Sequence, residues 1–136
     1  MISISIVLRA QFYDLDPMGR VWHGHYARYF EEARCALLDH IDYSYEQMLR
    51  SGYLWPIVDM QIKYVRPVLF QQSLHVTATL VEWENRLRID YQIMDADSKA
   101  IITRGRTIQI AVEEASGETL FVSPQILLDK VQKVLA

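Results

Sequence analysis

What most limits the folding of this chain is the order of its patterns: one long helical stripe, then almost nothing but strands. From about His23 to about Ile41, the residues Tyr26, Tyr29, Phe30, Ala33, Leu37 and Ile41 recur at spacings of three and four. That spacing puts them on one face of a helix. Arg28 has Glu31 and Glu32 three and four residues on, the spacing of surface ion pairs. A shorter helix is predicted at Tyr45–Ser51, stopped by Gly52. Period-2 alternation takes over afterwards. Val58, Met60, Ile62 and Tyr64 alternate with Asp59, Gln61 and Lys63. Residues 73–82 follow through Leu74, Val76, Ala78 and Leu80, and residues 86–94 through Leu87, Ile89, Tyr91 and Ile93. Residues 99–112 read as one further strand, and a first strand near residues 2–10 precedes the long helix. Ser123-Pro124 opens a last helix, Ser as cap and Pro at its first position. Glu84-Asn85 and Asp95–Ser98 are short turns, and short turns oblige antiparallel pairing. Strands segregated from the helix give an α+β fold. One long helix held in a curled antiparallel sheet satisfies the pattern.

The 136 residues are read as one domain, 1–136, long enough to bury about two-thirds of its unfolded surface. Hydrophobic residues at 51% and charged residues at 23% are a globular balance. A net charge of -3 argues against nucleic acid as a partner. The single cysteine, Cys35, forms no internal disulfide, and no segment has the apolar length of a membrane span. The first residues lack the features of a signal peptide, so the expected location is cytoplasmic.

Chemistry concentrates in Tyr13–Tyr26. Asp14-Leu15-Asp16-Pro17-Met18-Gly19 reads as a turn, placing carboxylates just ahead of a helix N-terminus. Free N–H groups and the positive end of the helix dipole hold an oxygen that gains negative charge. An acid beside them serves as nucleophile or general base. The plain structural alternative is a turn followed by a helix cap.

The stretch D-L-D-P-M-G-R-V-W-H-G-H-Y-A-R-Y-F-E-E-A-R resembles the signature of the hotdog-fold thioesterases, and most closely the 4-hydroxybenzoyl-CoA thioesterase branch with its Tol–Pal-associated relatives. The resemblance extends weakly through Pro56-Ile57-Val58, Tyr64-Val65-Arg66-Pro67 and Glu82-Trp83. It implies an antiparallel sheet wrapped around a long central helix. It also implies hydrolysis of an acyl-CoA or acyl-carrier-protein thioester, with Asp16 as the catalytic carboxylate and the His23 backbone N–H polarising the carbonyl. Homodimers with active sites at the subunit interface, often paired into tetramers, are a further implication. Basic residues after the Glu-Trp element contact the nucleotide of CoA in this family, and Arg86 is the nearest match. His25 stands where these relatives usually carry Asn.

An ordinary aspartate titrates near 3.9, so nucleophilic attack and orientation of water by charge stay open beside base catalysis. His23-x-His25 offers two metal ligands, but His40 and His75 have no spacing that ties them in, so no metal or other cofactor is expected. His25 is read as capping or packing the helix start. Trp22 is read as contacting the acyl group, and Tyr26 as core or as the floor of an acyl pocket. Arg86 and Arg88 share one strand face, as do Arg104 and Arg106. Asp59 is predicted on the polar face of its strand, and Cys35 as a small packed side chain. The competing functions are a hotdog-fold dehydratase and a non-catalytic acyl-thioester binding protein.

Overall fold

A computed structural model describes residues 1–136. Five strands form one sheet in the order β1-β4-β5-β6-β3, with every neighbouring pair antiparallel. They are β1 (Ile2–Arg9), β3 (Ile57–Tyr64), β4 (Ser73–Glu82), β5 (Leu87–Asp95) and β6 (Ile101–Gln109). The helix α1 (Tyr26–His40) lies against β1 and β4. Its inner residues Tyr26, Tyr29, Phe30, Ala33 and Leu37 are buried. Facing them are Leu74, Val76, Ala78 and Leu80 of β4 and Leu87, Ile89, Tyr91 and Ile93 of β5, also buried. One cluster of 26 buried residues draws on α1, β1, β4, β5 and β6, with Ile62 of β3 packed against it. Each such aliphatic or aromatic side chain contributes about 1.5–3 kcal/mol on burial. The Phe30 ring stacks on Tyr91 at 4.5 Å and also covers Gly105 of β6. A Cβ at residue 105 would collide with that ring and lie 2.7 Å from the Gln61 carbonyl oxygen.

Four sequence expectations are corrected. The α-helix starts at Tyr26, and His23–His25 form a tighter 3-10 turn ahead of it. The predicted strand 99–112 is broken after Gln109. Its partners on both sides end there, at Ile57 and Leu87, so no ladder remains to extend. The chain then forms β7 (Val112–Glu113), paired with β2 (Tyr53–Leu54) in a separate two-stranded sheet. The last helix, α3 (Gln125–Leu135), has Pro124 at its cap position. The Ser123 hydroxyl is buried without a partner, while its backbone N–H donates to the Glu84 carbonyl at 2.9 Å. Finally, Arg28 ignores Glu31 and Glu32 and reaches back to Asp14 at 2.5 Å. The buried carboxylate of Asp14 outcompetes exposed ones because water screens the latter.

The short helix α2 (Tyr45–Arg50) follows the expected pattern. Ser44 and Gln47 form a reciprocal cap, and Gly52 ends it at φ +92°. No helix is long and apolar enough to cross a membrane.

Candidate active site

Residues 16–20 close on themselves. The Asp16 N–H donates to the Arg20 carbonyl at 2.7 Å, and the Gly19 N–H to the Asp16 carbonyl at 3.0 Å. Gly19 sits at φ +78°, a conformation that costs glycine little. The Oδ1 atom of Asp16 accepts the N–H groups of Met18, at 2.8 Å, and Arg20, at 3.2 Å. One carboxylate oxygen therefore holds the turn, and Oδ2 takes no protein partner. Asp16 is half-buried and lines a cleft of about 300 Å³ with Arg20, His23, Tyr26, Tyr64 and Arg66 among its walls.

The opposite wall is the entry to α1. The Trp22 N–H donates to the Asp14 carbonyl and the His25 N–H to the Trp22 carbonyl, each at 2.9 Å. Among turn, loop and cap bonds, the N–H groups of His23 and Gly24 take no acceptor. These are the orphan donors a helix start presents. The Trp22 indole folds over Gly24 so closely that any Cβ there would strike it. Its ring lies 5.2 Å from that of His23 and meets the His25 ring edge-on at 5.3 Å. Of the two expectations for His25, capping is corrected. It occupies the position before the helix, but its side chain makes no cap bond, and it packs on Trp22.

Tyr64, at the end of β3, donates its hydroxyl to the His23 carbonyl at 2.8 Å. That carbonyl shares a peptide plane with the Gly24 N–H, so the bond fixes the direction of an orphan donor. The Tyr64 ring meets Tyr26 edge-on at 4.8 Å, and the Tyr26 hydroxyl accepts the Val68 N–H at 3.3 Å. Burial pushes both phenols above the usual range, so both stay neutral in neutral solution. Nothing in the sequence assigns Tyr64 a role. It meets His23 across 41 residues, through the pairing of β3 with β6.

The second acid of the turn is in different surroundings. Asp14 is buried, with Oδ1 on Arg28 at 2.5 Å and Oδ2 accepting the Tyr29 hydroxyl and the Gln11 N–H, each at 3.0 Å. Its carboxylate is fully occupied and outside the cleft. Burial, followed by the bond to Asp14, pushes the Tyr29 phenol strongly upward.

Arg86 is not brought to the cleft within one chain. It lies in the β4–β5 connection, paired with Glu82 at 2.9 Å. The register puts that connection at the end of the sheet opposite Tyr64. Asp59 lies 4.0 Å from Arg106, away from the cleft. Burial raises the Cys35 thiol, which keeps it protonated and a poor nucleophile.

A family profile described as the thioesterase-like superfamily matches residues 10–128, which include the whole cleft. A Synechocystis protein classed by name among the esterases is 25% identical over 131 residues, covering 96% of this chain and 79% of that protein. A Bacillus subtilis protein classed by name among the acyl-CoA thioesterases is 30% identical over 84 residues, 62% of this chain and 60% of that protein. Among solved structures, a 1,4-dihydroxy-2-naphthoyl-CoA thioesterase from Synechocystis superposes with a TM-score of 0.86 at 19% identity, covering 98% of each chain. A DHNA-CoA thioesterase from Staphylococcus aureus gives 0.81 at 24% identity, covering 89% of this chain and 81% of that one. With its helix cradled in one antiparallel sheet and the profile spanning nearly its full length, the chain belongs to the thioesterase-like superfamily and has the hotdog fold.

Proposed function

We propose that residues 1–136 act as one thioesterase domain that hydrolyses an acyl-CoA or acyl-carrier-protein thioester to a free acid and a thiol. Asp16 is the catalytic carboxylate, and the His23 backbone N–H holds the carbonyl oxygen. The observation that carries this reading is the cleft itself: a carboxylate with one free oxygen shares it with the helix entry, where the N–H groups of His23 and Gly24 lack partners. A thioester carbonyl seated there gains negative charge on oxygen as its carbon is attacked. An oriented donor at that oxygen is worth about 2.7–4 kcal/mol. Asp16 acts either as the nucleophile, through an acyl anhydride that water then opens, or by drawing a proton from the attacking water. In both routes the C–S bond breaks, and the thiolate leaves and takes up a proton. General-base help is worth about 10²–10⁴ in rate. Trp22, His25 and Tyr26 flank the acyl group. These steps need no cofactor.

A homodimer completes the reading. β3 is an edge strand with Ile57, Val58 and Met60 exposed, and an edge of that kind calls for a partner. Two β3 strands paired antiparallel about a two-fold axis set the Tyr64 end of one against the Ile57 end of the other. Arg86 of the partner subunit then comes to the end of the sheet where this chain's Asp16 lies, and can meet the phosphates of CoA as the family resemblance implies. Cytoplasmic location accords with the lone Cys35.

The test is thiol release from a panel of aromatic and aliphatic acyl-CoA and acyl-carrier thioesters, with the 4-hydroxybenzoyl ester included for the motif resemblance. Wild-type turnover is expected. Asp16→Asn keeps the Oδ1 acceptor of the turn and should lower kcat by at least about 10²-fold with substrate binding retained. Near-normal kcat in that variant rejects the role of Asp16. Binding without release points to a non-catalytic acyl-thioester binding protein, and formation of an enoyl product to a dehydratase.

A further inference from the structure

The face of the sheet turned away from α1 carries a cluster of cations that the cleft does not use. Because Gly105 lies under Phe30, its neighbours Arg104 and Arg106 stand on the outer face. The register sets Lys63 of β3 directly opposite Arg104, with Gln92 of β5 on the other side. Like charges directly opposite one another weaken a sheet. Lys63 and Arg104 form no ion pair, although the chain has a net charge of -3. Arg106 reaches only Asp59, at 4.0 Å, and its Nε is buried without an acceptor. Arg88 is already held by Asp90 at 3.1 Å. Lys63, Arg104 and Arg106 line one hollow of about 300 Å³ together with the Arg88–Asp90 pair, whose carboxylate stands opposite Arg106 in the register and is taken up by Arg88.

We propose that this outer hollow binds a phosphate-bearing ligand, with Arg104 and Arg106 gripping phosphate oxygens and Lys63 as a third donor. Planar guanidinium forks match the oxygens of a phosphate in pairs, and an ammonium adds a movable point charge. The unpaired Arg106 Nε–H and the opposed Lys63–Arg104 pair both lack the same thing, an anion with several oxygens. A diphosphate answers three adjacent cations better than one carboxylate does. The phosphate comes either from a free diphosphate or from the nucleotide end of a coenzyme thioester. β3 carries Tyr64 on the cleft side and Lys63 on the outer side, so the two sites are separated by the thickness of one edge strand. The site does not depend on the thioesterase reading.

Calorimetric titration of the full chain with inorganic pyrophosphate, CoA and pantetheine tests the proposal. Pyrophosphate should bind saturably, more weakly as salt is added, and raise Tm. Pantetheine, which has no phosphate, should not bind at this face. Arg104→Gln and Arg106→Gln should each weaken pyrophosphate by at least about tenfold, the loss of one charged hydrogen bond, whereas Arg50→Gln on α2 should not. Lys63→Gln should raise the Tm of the ligand-free protein by removing the like-charge contact. CoA binding with the same dependence on Arg104, plus a raised KM for acyl-CoA but not acyl-pantetheine in Arg104→Gln, identifies the coenzyme as the source. Pyrophosphate binding alone identifies a free diphosphate. Absence of saturable binding of pyrophosphate and CoA at low salt, or affinity unchanged in Arg104→Gln, overturns the site. Asp16→Asn should leave pyrophosphate affinity intact, so loss of hydrolysis and loss of this site are read separately.

Discussion

Asp14 and Asp16 stand two residues apart, and the turn between them sends their carboxylates into different surroundings. Asp14 is buried with Arg28, Tyr29 and the Gln11 N–H around it. Asp16 spends one oxygen on its own turn and keeps the other toward the cleft. Asp14→Asn should therefore cost stability, by about 1.5–3 kcal/mol for a charged hydrogen bond weakened in a buried site. Urea unfolding measures that loss, and the folded fraction should keep its kcat. Tyr64→Phe should do the opposite. Removing the bond to the His23 carbonyl loosens one peptide plane at the helix entry and is worth about 0.5–1.5 kcal/mol. We expect kcat to fall about two- to tenfold with KM nearly unchanged and Tm only slightly lowered; an unaltered kcat shows that the direction of the Gly24 N–H, next to the His23 donor, does not matter to turnover. Sequence reading placed a carboxylate-bearing turn just ahead of a helix start because both are local, and singled out Asp16 and the His23 backbone within it through the family resemblance. It left Asp14 and Tyr64 without roles, because their partners lie on other elements.

Among the elements, α1 was the most legible, since its inner face repeats over four turns with no interruption by Gly or Pro. Its first turn was not. Gly24 lets the Trp22 ring fold over the backbone, and the chain tightens into a 3-10 turn before the helix proper. β6 shows how pairing overrides pattern: alternation continues past Gln109, but the strands that would pair with it have ended. Gly105 in that strand leaves the room that the Phe30 ring fills against the sheet. Gly105→Ala should cost about 1–3 kcal/mol, the range for overpacking a filled core. Thermal unfolding should show a lower Tm with the far-UV circular dichroism spectrum retained.

For the whole molecule, the two edges of the sheet differ. On the outer side β1 presents Ser3 and Ser5, which bond to Thr79 and Thr77 at 3.0 and 2.6 Å. β3 presents Ile57, Val58 and Met60 to solvent. The proposed dimer forms through β3, and Met60→Lys should shift the protein from dimer to monomer in analytical ultracentrifugation. KM for acyl-CoA should rise with it, because Arg86 of the partner subunit is lost. An unchanged sedimentation profile would place the interface elsewhere.

By itself the sequence determined the kinds and order of elements, which faces of them are apolar, and the carboxylate-bearing turn before a helix. Those follow from contacts within about four residues, where backbone geometry and side-chain period decide the outcome. Tertiary structure decided which of two acids faces the cleft, that Arg28 serves Asp14 and not Glu31 or Glu32, that Tyr64 holds the His23 peptide, and that Lys63 stands against Arg104. Each of those depends on strand register and on the closing of the sheet around α1, which bring together residues that no local interaction connects.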